Sequence, residues 1–193
     1  TLQDVPAAQD PYAITKFKAE QGLRRVEKET GMEVVIIRPP LVYGPGVRGN
    51  FLRLMQTVKK GLPLPLGLVR NRRSLVALDN LVDLIVTCIE HPDAAGRTFL
   101  VSDGLDLSTP ELIRQLALAM GEKPILLPVP PKFLRLVGSV IAKRADVERL
   151  IASLQVDISY TCEFLGWRPP VSLHESMYKT AQAYFSEAEK GEK

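Results

Sequence analysis

A junction narrows the possible folds more than any other feature of this sequence: a long amphipathic segment passes directly into four consecutive β-branched residues. Asp10 followed by Pro11 is a helix N-cap with proline at the first helical position. One face then runs through Tyr12, Lys16, Ala19, Leu23 and Val26 to a stop at Gly31. Val34-Val35-Ile36-Ile37 comes next, the pattern of a strand buried on both faces. A helix leading straight into such a strand is the grammar of an α/β protein.

The rest of the chain extends that grammar. Pro39 to Gly49 is a loop rich in proline and glycine, Phe51 to Lys60 a short amphipathic helix, and Gly61 to Gly67 irregular. Ser74 to Leu78 is expected as a strand, with Asp79 capping a helix that ends before His91-Pro92. Arg97 to Ser102 is a second strand. Ser108 or Thr109, followed by Pro110, opens a helix to Gly121, and Ile125 to Pro128 is extended. From Pro131 the chain is helical, its last helix opening at Ser172 with Glu175 completing a capping box.

The expected class is α/β: the C-terminal part of a Rossmann-like doubly wound sheet plus a mostly helical substrate-binding lobe. Residues 1–49 would hold one helix and a late strand of the sheet. Residues 50–193 would form mainly the lobe, with strand 97–102 returning to the sheet. The start at Thr1, in polar text resembling a loop, suggests a fragment that leaves a strand edge exposed at 34–38.

Composition removes whole classes. With 193 residues, 46% hydrophobic and 24% charged, the chain has enough apolar material for a core. A formal charge of +3 is too small to imply nucleic acid, and the basic residues lack aromatic interleaving. Two cysteines, Cys88 and Cys162, provide neither a disulfide framework nor metal-ligand spacing, so a reducing, cytoplasmic compartment and no metal are expected. No apolar run reaches the roughly 20 residues needed to span a bilayer.

Gly44, Gly46 and Gly49 match the spacing of a dinucleotide-binding turn, but their setting argues against one. Five residues separate them from the preceding strand, and no acidic residue follows before Asp79. Tyr12 and Lys16 are better candidates, because residues four apart share one helix face. A lysine ammonium stabilises a phenolate and lowers the tyrosine pKa from about 10, toward acid/base use near neutrality. An isolated pair at this spacing is more often a half-buried tyrosine with a solvated lysine.

The order of the surrounding blocks changes that balance. Pro11-Tyr12-Ala13-Ile14-Thr15-Lys16 precedes Arg38-Pro39-Pro40-Leu41-Val42-Tyr43-Gly44-Pro45-Gly46. Then come Arg73-Ser74-Leu75-Val76 with Asp79-Asn80-Leu81, and Leu165-Gly166-Trp167-Arg168-Pro169. Over nearly the whole chain this order resembles the extended short-chain dehydrogenase/reductase family, in particular its nucleoside-diphosphate-sugar 4-epimerases and 4-keto-sugar reductases. The resemblance implies NAD or NADP as cofactor and a nucleoside-diphosphate sugar, expected to be a UDP-sugar, as substrate. It implies Tyr12 as the residue exchanging a proton with the sugar C4 hydroxyl, and Lys16 as the residue that holds the nicotinamide ribose. Pro39 and Pro40 would lie against the nicotinamide, and Asn50 and Arg73 against the diphosphate. Arg149 lies near, though not clearly in register with, an arginine that many epimerases use on the substrate. Pairing into a homodimer through the tyrosine helix is also implied.

The charge pattern supports the diphosphate assignments independently. Arg48, Arg53, Lys59, Lys60, Arg70, Arg72 and Arg73 fall in a stretch without an acidic residue, and a guanidinium grips phosphate with two parallel hydrogen bonds. The family's glycine-rich turn and its catalytic Ser or Thr have no counterpart in this sequence, so the chain alone is expected to be inactive. A non-catalytic nucleotide-sugar-binding lobe is the competing expectation. His91 is expected at a helix end, His174 on the surface, and Trp167 and Tyr43 in structural roles.

Overall fold

The computed structural model describes residues 11–140 and 144–191. In chain order its elements are α1 (Pro11–Thr30), β1 (Ile36–Arg38), β2 (Leu41–Tyr43), α2 (Gly49–Lys59), β3 (Arg73–Ala77) and α3 (Leu78–Glu90). They continue with β4 (Thr98–Leu100), β5 (Asp106–Leu107), α4 (Thr109–Ala119), α5 (Pro131–Val140), α6 (Arg144–Ile151), α7 (Ser159–Leu165) and α8 (Leu173–Gly191). Asp10, the expected cap of α1, lies outside the described residues. Gly31 ends α1 as expected, with φ at 72°.

Two small sheets organise these elements. β1 pairs parallel with β4, Ile36 opposite Thr98 and Arg38 opposite Leu100. β3 is the centre of the second sheet, parallel to β2 on one side and antiparallel to β5 on the other. The chain after α6 lies along β3 as well. Leu154 N–H donates to the Arg72 carbonyl at 2.8 Å, and Ser74 N–H to the Leu154 carbonyl at 2.9 Å.

β3 separates two cores, and the period of two along a strand explains how. Leu75 and Ala77 face a larger core that includes Tyr43, Phe51, Met55, Ile113 and Met177. Val76, between them, faces a smaller one with Leu84, Phe99, Val101 and Trp167. A strand covered on both faces loses its solvent, and Leu75, Val76 and Ala77 are all buried. Trp167 is in the core as expected, its Nε1–H donating to Asp83 Oδ2 at 2.7 Å.

Four details differ from the sequence expectations. The strand expected at 34–37 is regular only over Ile36–Arg38, because β4 offers three partners. Val34 instead accepts a hydrogen bond from Gly96 N–H in the approach to β4. Val34 and Ile36 are buried, while Val35 and Ile37 are half-buried and line an open groove of about 780 Å³ with Pro39, Leu81, Ile85 and Ile89. Among the described residues no strand pairs with the second edge of β1. The loop expected from Pro39 contains β2, and the short β5 was not anticipated at all.

The fourth difference concerns Asp79, which does not cap α3. β3 runs into that helix without a linker, so the cap position falls on the strand residue Ala77. Asp79 sits in the first turn instead and accepts from Lys179 Nζ at 3.0 Å.

The capping box of α4 is present. Ser108 Oγ accepts from Glu111 N–H, and the Glu111 carboxylate accepts from Ser108 N–H at 2.7 Å. At α8, Ser172 Oγ accepts from Glu175 N–H at 3.3 Å, while the Glu175 carboxylate pairs with Lys179. Gly44, just after β2, has φ at 154°, and a Cβ there would stand 2.8 Å from Leu78 Cβ. Only glycine lets the end of β2 approach α3 this closely.

Candidate functional site

The site is built from the seating of α1 on β1. Arg38 clasps Glu20 with two hydrogen bonds, of 3.0 Å and 2.5 Å, and Val34 N–H donates to Glu27 Oε1 at 3.3 Å. As numbers rise along α1 they fall along β1, so helix and strand are antiparallel. Arg24 Nη2 also reaches Thr98 Oγ1 on β4 at 2.9 Å, fixing the helix across both strands. Lys16 precedes Glu20 by four residues, about 6 Å of helix rise. It therefore stands one turn beyond Arg38, past the carboxyl end of β1.

Pro39 and Pro40 leave β1 at that same end, where open α/β sheets bind their ligands. Pro39 is exposed and Pro40 half-buried. Lys16 is exposed on α1. Tyr12 begins the same helix, and its side chain lies outside the described residues. The sequence-predicted group of Tyr12, Lys16, Pro39 and Pro40 thus shares one end of one helix–strand unit.

A second group gathers around β3. Arg73 opens that strand and is half-buried, which lowers the pKa of its guanidinium. Its Nη1 donates to the backbone carbonyl of Arg149, so Arg73 and Arg149 are neighbours, although α6 lies far along the sequence. The Arg149 side chain is exposed. Asn50 stands apart, exposed in the first turn of α2.

Sequence reasoning missed the polar centre that joins these parts. Asp103, just beyond β4, accepts from Tyr43 Oη at 2.8 Å, Asn80 Nδ2 at 2.7 Å and Ala77 N–H at 2.8 Å. Asn80 is fully buried and exchanges hydrogen bonds with the Val171 backbone in both directions. Tyr43, expected to be structural, is buried here, and burial with the adjacent Asp103 carboxylate pushes its hydroxyl pKa well above the usual tyrosine value. A neighbouring network pins the end of α6: Asn71 Nδ2 donates to Thr109 Oγ1 and to the carbonyls of Leu150 and Ala152. That network fixes the segment whose carbonyl holds Arg73.

His91 caps the end of α3 as expected, its ring against Phe164 and its Nδ1 accepting from Asp93 N–H. His174 is exposed in the first turn of α8. Among the described residues no cluster of histidine, cysteine, aspartate or glutamate could hold a metal ion.

Comparison with known proteins agrees with this architecture. Residues 1–102 match the NAD dependent epimerase/dehydratase family. A UDP-glucose 4-epimerase from Vibrio cholerae is 52% identical over 183 residues, covering 94% of this chain and 56% of the relative. An Escherichia coli O157:H7 relative is an N-acetyl-alpha-D-glucosaminyl-diphospho-ditrans,octacis-undecaprenol 4-epimerase, 24% identical over 193 residues, with 93% of this chain and 58% of that protein covered. Among solved structures, the UDP-glucuronic acid 4-epimerase from Bacillus cereus in complex with NAD superposes with a TM-score of 0.74 at 20% identity, over 96% of this chain and 55% of that one. Its likeness establishes the fold. The chain spans about half the length of the curated relatives it matches. By its sequence, the chain belongs to the NAD-dependent epimerase/dehydratase family.

Proposed function

We propose that this chain carries the proton-transfer and substrate-holding part of an NAD(P)-dependent nucleotide-sugar 4-epimerase acting on a UDP-sugar. The observation that carries the reading is the antiparallel seating of α1 on β1, through Glu20–Arg38 and Glu27–Val34. It brings the Tyr12–Lys16 end of the helix toward the strand end from which Pro39 and Pro40 emerge. The 52% identity to an epimerase favours that activity over the reductases of the family.

The residues present fit the nicotinamide end of the cofactor: an exposed proline at a parallel strand's carboxyl end, and a lysine one helical turn past it. Residues 1–49 would belong to the cofactor domain and 50–193 mainly to the substrate lobe. NAD(P) held there would supply the hydride acceptor and donor at sugar C4. Tyr12 takes the proton of the C4 hydroxyl as a 4-keto sugar forms, and returns it after the sugar has turned over. Lys16 holds the nicotinamide ribose, one helical turn along α1 from Tyr12. Asn50, Arg73 and Arg149 hold the diphosphate. That chemistry at C4 is indifferent to what the diphosphate carries on its far side, which accommodates a relative named for a polyprenol-linked sugar. A cytoplasmic location belongs to the same proposal and is supported by the two free thiols, Cys88 and Cys162.

Calorimetric titration with UDP tests the substrate half directly. UDP binds the chain, and Arg73→Ala weakens that binding about tenfold or more, the scale of a lost charge-assisted hydrogen bond to phosphate. NAD⁺ alone gives no heat, because the glycine-rich turn is not in this sequence. Silence with UDP, or an unchanged affinity in Arg73→Ala, removes the diphosphate assignment.

The same proposal includes a homodimer through α1, where Ile14, Leu23 and Val26 are exposed on the helix surface. Sedimentation velocity is expected to show a dimer at micromolar concentration that Leu23→Glu disrupts. A monomer across the accessible concentration range would end that idea.

A further inference from the structure

The outer face of α5 belongs to neither core. Phe133, Leu136 and Val137 stand at i, i+3 and i+4 on one stripe of that helix, and they are 57%, 61% and 42% exposed. Its other face holds it to the protein. Leu134 packs against the larger core, Gly138 is buried, and Arg135 Nε donates to Glu148 Oε1 on α6 at 2.9 Å. Single exposed apolar residues are ordinary on a soluble protein, but a contiguous stripe marks a contact surface.

Charge identifies what covers the stripe. From Lys123 to Ala145 the sequence carries Lys123, Lys132, Arg135, Lys143 and Arg144 and no acidic residue. Glu148 neutralises Arg135 from the neighbouring helix, whereas Lys132 is exposed directly beside Phe133. An aromatic and aliphatic stripe with an exposed lysine at its start, in a stretch of sequence without an acidic residue, suits a helix lying in the plane of an anionic lipid surface. A second copy of the same face would bring like charges together, which disfavours self-pairing. The uncovered groove beside β1 is a separate feature, since its residues flank the smaller core while α5 rests on the larger.

We propose that α5 is a peripheral membrane-contact helix that seats Phe133, Leu136 and Val137 among the headgroups of an anionic bilayer, with Lys132 against the lipid phosphates. Ten residues of helix, about 15 Å, suit a helix lying on a bilayer and fall well short of crossing one. The proposal does not depend on the sugar chemistry, and its test reads lipid binding without turnover.

The test is co-sedimentation of the chain with vesicles of phosphatidylcholine and phosphatidylglycerol at physiological salt. The wild-type chain pellets with these vesicles and much less with pure phosphatidylcholine. The double variant Phe133→Ser/Leu136→Ser loses at least about tenfold in partitioning, as expected for removing two apolar side chains from an interface. Lys132→Glu weakens binding to the anionic vesicles alone. Both positions are exposed, so circular dichroism and the thermal midpoint should match wild type and separate lost contact from lost fold. The proposal fails if the wild type stays in the supernatant, or if the double variant pellets equally. It also fails if the double variant instead converts a dimer to a monomer in sedimentation, which would assign the stripe to a second copy.

Discussion

Replacing Asp103 with alanine lowers the stability of the chain by about 3–5 kcal/mol, because three buried donors lose their acceptor together. Tyr43 and Ala77 are almost fully buried and Asn80 completely so, so water reaches none of them easily. The hydrogen bonds run from β2, β3 and α3 to a residue just beyond β4. The same carboxylate therefore ties the parallel pair β2–β3 to the strand that pairs with β1. Urea unfolding followed by tryptophan fluorescence measures the loss, with Trp167 reporting on the smaller core. Tyr43→Phe alone should be mild, since it removes the donor with its bond. The double variant should be less destabilised than the sum of the two, with a coupling of about 1–2 kcal/mol. A loss below about 1 kcal/mol in Asp103→Ala would mean that water replaces the carboxylate and the network is decorative.

That network shows where the sequence stopped being informative. Local signals were legible because their partners are neighbours in the chain. Ser108, Pro110 and Glu111 declare the start of α4 within four residues, and Gly31 and Gly121 terminate α1 and α4 with positive φ. Tyr43, Asn80 and Asp103 are joined only by the fold, across separations of 60 and 23 residues, and nothing in their local text marks them as a unit. β2 was hidden for a related reason. Its three residues sit between Pro40 and Gly44, and only pairing with β3 makes them a strand. Asp79 misled because a carboxylate before an apolar helix usually caps it. Here strand and helix share a boundary, and Asp79 bonds to α8 instead.

The candidate site divides along the same line. Tyr12 and Lys16 could be paired from helical spacing, whereas the bond from Arg73 to the Arg149 carbonyl needed the fold. That bond gives Arg149 a function the sequence did not suggest. Its backbone fixes the direction of Arg73, and its side chain is left exposed nearby. The basic stretch from Arg48 to Arg73 was visible as composition, yet the structure spreads it over α2, the following loop and β3. Arg73 itself projects from a strand, a rigid element rather than a flexible loop, whereas Asn50 stands apart on α2.

Substitution of Tyr12 by phenylalanine removes catalysis while leaving substrate binding in place. The experiment uses the chain joined at its amino end to the segment of the Vibrio cholerae relative that precedes the matched region, with UDP-glucose and NAD⁺ supplied. Positioned acid/base groups contribute about 10²–10⁴-fold, so kcat in Tyr12→Phe falls by about that factor. KM for UDP-glucose stays within about threefold, because the residues proposed to hold the diphosphate lie on other elements. Lys16→Met gives a different signature. Removing the ammonium proposed to hold the nicotinamide ribose raises KM for NAD⁺ more than it lowers kcat. Arg73→Ala completes the set by raising KM with a smaller change in kcat, since a diphosphate contact is felt alike in ground and transition states. If Tyr12→Phe keeps more than about a tenth of wild-type kcat, Tyr12 is not the proton carrier. The α1–β1 seating would then be architecture inherited without its chemistry, as the non-catalytic lobe predicts.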